Sequence, residues 1–167
     1  MSDEKFRAEF DYEICNSRVR PLAEALVKKY SELHHIDIDK ILFITNHKSS
    51  GGRKTLLLAK TYKIPPKWTE LFYQLGACSY FYVIEFIAKS TAAMDESQMV
   101  ALVYRELRKI GPEGELLEYD IKDWWQILMG LGRNWFYPDN TCPNLLDDSI
   151  DWKKLMGQYY EPVKESE

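Results

Sequence analysis

The chain has 167 residues and a net charge of -4, a length that suits one domain burying about 70% of the surface its unfolded form exposes, with no need of a metal or disulfide for stability. Apolar residues make up 46% and charged residues 29%, with 11 Tyr, 7 Phe and 5 Trp, which excludes a disordered polyelectrolyte and points to an aromatic-rich core or groove. The acidic balance gives no reason to expect nucleic acid or an anionic membrane as partner, since both favour a basic face.

The opening MSDEKFRAEFDYEI is charged throughout and holds no secretory apolar region, and no apolar run approaches the roughly 18 residues of a membrane span. A cytoplasmic location is the resulting expectation. Cys15, Cys78 and Cys142 are odd in number, widely spaced and in no C-x-x-C pair, so three reduced thiols are expected rather than a disulfide framework or a cysteine zinc site. Residues 1–13 read as an N-terminal extension, 14–160 as the domain, and 161–167 as a flexible tail.

In chain order, Val19, Leu22, Leu26, Tyr30 and Leu33 recur at spacings of three and four and predict a helix over 18–34, with Pro21 near its first turn. The short apolar runs 41–45 and 55–61 predict two strands, joined as a hairpin or by a loop through NHKSSGGRK. Pro65 and Pro66 open a short helix that Gly76 ends, and the aromatic, β-branched run 79–88 predicts a third strand. A helix over 95–110 follows, with Asp95 as N-cap, Gly111 beyond its end, and a buried stripe of Met99, Val103, Leu107 and Ile110. DIKDWWQILMGLG predicts a second helix opening at Asp120, burying Ile121, Trp124, Trp125 and Leu128, and stopping at Gly130 and Gly132. The stretch after it is irregular.

Within the 95–110 helix, Arg105 and Lys109 lie one turn apart on a flank and Glu106 lies between that flank and the core. This is the spacing of a His-Glu-x-x-His motif, in which two imidazoles hold zinc and the glutamate activates its water. Here the two ligand positions carry cations, which have no lone pair to offer a metal. Elsewhere, the adjacent His34 and His35 diverge and His47 belongs to a loop, so none makes a metal site; HKSSGGRKT lacks phosphate-loop spacing; and no G-x-S-x-G is present.

The aromatic strand, the helix ending in Glu-Leu, the G-P-E-G turn and EYDIKDWWQILMGLGRNW together resemble the phage and prophage zinc metallopeptidase family, from about residue 14 to 136. In that family a His-Glu-Leu-x-His-Ile helix is followed by a His-Asp at the mouth of a helix of type D-[VI]-x-[DE]-[FW]. Glu106, Leu107, Ile110, Asp120, Asp123 and Trp124 keep the pattern, whereas the three histidine positions hold Arg105, Lys109 and Tyr119. The resemblance implies an α+β, zincin-like single domain: an N-terminal helix, a small twisted sheet of about three to four strands, and two site helices. It implies a degenerate site, with Glu106 at the general-base position, Asp120 as the acid at the helix mouth, and zinc lost.

Asp120 and Asp123 are also accounted for as helix-capping residues. Two functional readings remain open. One is a non-catalytic binding module that takes an extended peptide or protein segment on a strand edge flanked by Tyr80, Tyr82, Trp124 and Trp125. The other is an active metal-dependent hydrolase using Glu106, Tyr119 and Asp120 as oxygen ligands. For balance of charge, a cation is expected in the metal's place: Arg105 points about 100° away from Glu106 on the helix, so Lys109 or a cation from another element is the expected direct partner, with Tyr119 donating its hydroxyl to the same carboxylate.

Overall fold

The computed structural model describes residues 10–48, 57–77, 79–119 and 123–156. In chain order these form strand β1 (Tyr12–Ile14), helix α1 (Asn16–Lys29), two short 3-10 turns, β2 (Ile41–Asn46), β3 (Ala59–Lys63), α2 (Pro66–Gln74), β4 (Tyr82–Ile87), the single turn α3 (Ala88–Thr91), α4 (Glu96–Leu107), α5 (Trp125–Leu131) and α6 (Trp152–Met156). The class is α+β, a small single domain around one open four-stranded sheet.

The sheet runs β1-β2-β4-β3. β4 lies parallel to β2, with Phe43 beside Ile84, and antiparallel to β3, with Thr61 beside Ile84 from the other side. The hairpin alternative for β2 and β3 is therefore excluded, because β4 separates them. Composition explains the order: YVIEFI is buried at every position but its first, as suits a strand covered on both faces, whereas AKTYK ends in exposed residues at the edge. Residues 55 and 56 of the predicted second strand lie outside the described residues.

Helix α1 stops earlier than its apolar period suggested. Tyr30 leaves the helical region (φ -106°, ψ 115°), because tertiary partners claim it: its hydroxyl donates to the Leu145 carbonyl at 2.7 Å and its ring packs edge-on against Tyr104. Lys29 fastens the same segment through the Leu145 carbonyl at 2.7 Å. The helix also begins at Asn16, which places Pro21 beyond its first turn.

Helix α4 is fixed at its start by a full capping box: the Asp95 carboxylate accepts from Gln98 N at 2.8 Å and the Gln98 side chain accepts from Asp95 N at 3.0 Å. Of the predicted stripe, Val103, Leu107 and Ile110 are buried and Met99 half-buried, but Val100, Ala101, Leu102 and Tyr104 are buried too. The helix is enclosed on more than one side, with the sheet on one and Trp135, Leu145 and Trp152 of the C-terminal segment among its other neighbours. It ends at Leu107, and Ile110 forms an isolated bridge with Leu116 across a turn in which Gly114 takes φ +78°.

The helix predicted from Asp120 begins instead at Trp125, with Trp124 as its non-helical N-cap residue. Asp120 and Ile121 lie outside the described residues. The local reason for the later start is visible in Asp123: its carboxylate accepts from Trp124 N and from Arg105, which holds the chain in an extended entry. The shift rotates the two tryptophans apart, so Trp124 is buried and Trp125, expected inside, is 49% exposed. Gly130 does not end the helix; it lies where a Cβ would come within 2.9 Å of the Trp152 ring, and Gly132 (φ +85°) is the actual stop.

Candidate functional site

Four elements meet at Glu106. The last turn of α4 supplies Arg105, Glu106 and Lys109's approach, the chain after the Gly114 turn brings Tyr119, the entry to α5 brings Asp123, and β3 brings Thr61. Glu106 is fully buried, where an unpaired carboxylate would be costly, and every lone-pair direction is used. Its Oε1 accepts from Arg105 Nη1 at 3.1 Å and from the Tyr119 hydroxyl at 3.2 Å. Its Oε2 accepts from Lys109 Nζ at 2.6 Å and from Thr61 Oγ1 at 2.8 Å.

Both cations engage the carboxylate. Lys109 is the closer, as helix spacing suggested, but Arg105 does not turn away: it bends back to reach Glu106 while its Nε donates to Asp123 Oδ1 at 2.9 Å. The Tyr119 ring lies between them, with the Arg105 guanidinium carbon 4.5 Å and Lys109 Nζ 4.7 Å from its centroid. Trp124 closes the cluster from below, donating through Nε1 to the Arg105 carbonyl at 2.8 Å. Two cations thus face two carboxylates, and positions 105, 109 and 119 converge on Glu106.

Burial pushes the Tyr119 phenol well above its ordinary range, with the neighbouring Glu106 charge adding to the effect and Arg105 opposing it. Burial alone would pull the Arg105 guanidinium down, but Asp123, Tyr119 and Glu106 around it hold it above its usual value. Tyr119 therefore stays a neutral hydrogen-bond donor and Arg105 a fixed cation.

This donor set does not fit zinc. A guanidinium and an ammonium have no lone pair, Tyr119 holds its proton, and both oxygens of Glu106 already accept two donors each. Among the described residues, no three His, Cys, Asp or Glu side chains come together. The histidines are separate: His34 faces the Lys28 carbonyl, His35 the Ile110 carbonyl at 2.7 Å, and His47 pairs with Glu13. Cys15 and Cys142 are buried free thiols, both raised by burial, Cys142 to about 12.

The aromatic residues expected to flank one groove are dispersed. Tyr82 donates to the Gly114 carbonyl at 2.8 Å, Tyr80 accepts from Asn16 at 3.3 Å, Trp124 is buried with the Arg108 guanidinium over its ring, and Trp125 is half-exposed on α5. The strand that precedes α4, expected to offer a peptide edge, is β4, which is paired on both sides. The open edge beside the cluster belongs to β3. Ile87 N donates to the Leu58 carbonyl and Ile64 N to the Phe81 carbonyl, so by antiparallel alternation residues 58, 60, 62 and 64 bond towards β4, while Ala59, Thr61 and Lys63 turn their backbone groups outward.

A cleft of about 1200 Å³ runs along this edge, lined by residues 57–62 on one wall and 133–137 on the other, with Arg105, Lys109, Tyr119 and Asp123 at its floor. Thr61 and Trp135 escaped sequence reasoning. Thr61 stands 45 positions before Glu106, and no local pattern distinguishes a strand threonine that meets a carboxylate from one that faces water.

A mixed sheet with a buried glutamate on the helix behind it, and three side chains converging at the preceding, third-following and thirteenth-following positions, defines a metallopeptidase-like scaffold. The chain belongs to the family described as putative phage metallopeptidase, whose model matches residues 10–160. Searches of curated proteins and of solved structures found no match.

Proposed function

We propose that this protein is a non-catalytic member of its family, in which a cation pair stands where the metal would be and the cleft serves to bind an extended peptide or protein segment. The observation that supports this most directly is the Glu106 cluster: the three positions that would converge on zinc still converge, but through Arg105, Lys109 and Tyr119, and the glutamate that would activate water is saturated by four donors. A carboxylate so held has no free lone pair with which to take a proton from water. The groove remains. The outward backbone groups of Ala59, Thr61 and Lys63 suit addition of a strand, the mode in which main-chain hydrogen bonds supply affinity.

Elemental analysis of purified, unloaded protein together with a peptide-cleavage assay tests the reading. The expected result is no stoichiometric zinc and no cleavage; one zinc per chain, lost in Glu106→Gln or Tyr119→Phe, would overturn it. Restoration probes the scaffold itself. Arg105→His, Lys109→His and Tyr119→His together are expected to create zinc binding, and a folded triple variant that binds none would show that the three positions no longer share ligand geometry.

A further inference from the structure

The hydrogen-bonding capacity that the cluster still offers to the cleft is weighted towards donors. Most of its acceptors are taken: Glu106 receives four donors, and Asp123 Oδ1 receives Arg105 Nε at 2.9 Å and Trp124 N at 2.8 Å, while Asp123 Oδ2 receives Trp135 Nε1 in a long bond of 3.4 Å. Its donors are not. Among the described residues, Lys109 uses one N–H of its ammonium and Arg105 Nη2 meets no partner, and both side chains remain partly exposed, at 15% and 14%. Arg133, exposed on the opposite wall, makes no ion pair among the described residues. Three cations therefore face two carboxylates, and an arriving negative charge would balance them. Lys60 also lines the cleft, but strand alternation turns its side chain to the far face, beside Glu85.

Strand geometry says where that charge would sit. Thr61 is the middle of the three outward-facing positions, and its side chain points to the face where it meets Glu106. In an added strand, the residue directly across from Thr61 shares that face, so its side chain points at Arg105 and Lys109. Since the edge continues on both sides of Thr61, that residue lies within the peptide rather than at its end. We infer that the segment bound in this cleft carries an internal Asp or Glu opposite Thr61, its carboxylate held by Arg105 and Lys109. The inference rests on the strand-addition reading above and adds the chemistry of the occupant.

The test is binding, by fluorescence polarisation, of capped peptides of alternating Thr and Val with a central Glu, the same peptide with central Gln, and the Gln peptide with a free C-terminal carboxylate. The Glu peptide is expected to bind the wild-type protein at least about tenfold more tightly than the Gln peptide, as a charge-assisted contact requires, with the preference shrinking as salt is raised. The double variant Lys109→Gln, Glu106→Gln, which keeps the buried pair electrically balanced and leaves Arg105 as the remaining holder, is expected to shrink the preference at least about threefold while still binding both; an unchanged preference would overturn the part assigned to Lys109. Equal binding of the Glu and Gln peptides to wild type would overturn the inference and leave strand addition standing. Preference for the free terminus over the central Glu would overturn the internal placement. Binding of none of the three would overturn strand addition and the inference with it.

Discussion

Replacing Lys109 by Met removes the shortest of the four contacts to Glu106, at 2.6 Å, and keeps the length of the side chain. Removing one partner of a buried ion pair costs about 3–5 kcal/mol when the other charge is left uncompensated. Glu106 is fully buried but retains Arg105, Tyr119 and Thr61, and Arg105 must divide its charge with Asp123. The expected loss is therefore near or just below the low end, about 2–3 kcal/mol. Urea unfolding followed by far-UV circular dichroism measures it. The partner experiment is Lys109→Met with Glu106→Gln, which removes both charges and is expected to regain at least about 1 kcal/mol over the single variant, a coupling that independent sites do not show. A loss below about 0.5 kcal/mol for Lys109→Met, the scale of an exposed ion pair, would refute the claim that this cluster is a buried replacement for a metal.

Truncating Leu107 to Ala is expected to cost about 2–5 kcal/mol in the same assay, because the side chain is fully buried in the core; a cost well below 1 kcal/mol would mean that α4 is not enclosed as described. Alkaline pH supplies another check. Burial, followed by the nearby Glu32 and Asp151 charges, pushes the Tyr30 phenol up to about 12, and burial with the Glu32 hydrogen bond raises Tyr104 as well, against Arg108. The folded form thus keeps protons that unfolded phenols release near pH 10, so stability holds below about pH 10 and falls above it, by up to about 1.4 kcal/mol per pH unit per group. Unfolding free energies that stay flat between about pH 9 and pH 11 would contradict this.

The family and its class of fold were legible in the sequence because they rest on local order: a helix with Glu106 and Leu107 at its end, a glycine turn, and a tryptophan-bearing entry to the next helix. The approach of Lys109 to Glu106 was legible for the same reason, since helical spacing alone puts them within reach. Tyr119 donating to that carboxylate was expected from the motif positions and is present at 3.2 Å. Arg105 was misjudged, because its Cβ direction says little about where a long, flexible guanidinium ends when Asp123 and Tyr119 wait beside it.

What the chain's local pattern determined, then, is most of the helices and strands between residues 16 and 131, the capped start of α4 and the residues that occupy the three ligand positions, but not the edge strand β1, which fell largely in the stretch read as an extension. Only the tertiary structure decided which strand is the edge. β3 and β4 both read as strands, and their order depends on how long-range pairing buries the more apolar of the two between neighbours. The entry to α5 was decided the same way, by Asp123 bonding across to Arg105 rather than capping a helix from Asp120. In each case a side chain had comparable local uses, and the choice fell to a partner distant in sequence, which periodicity cannot encode.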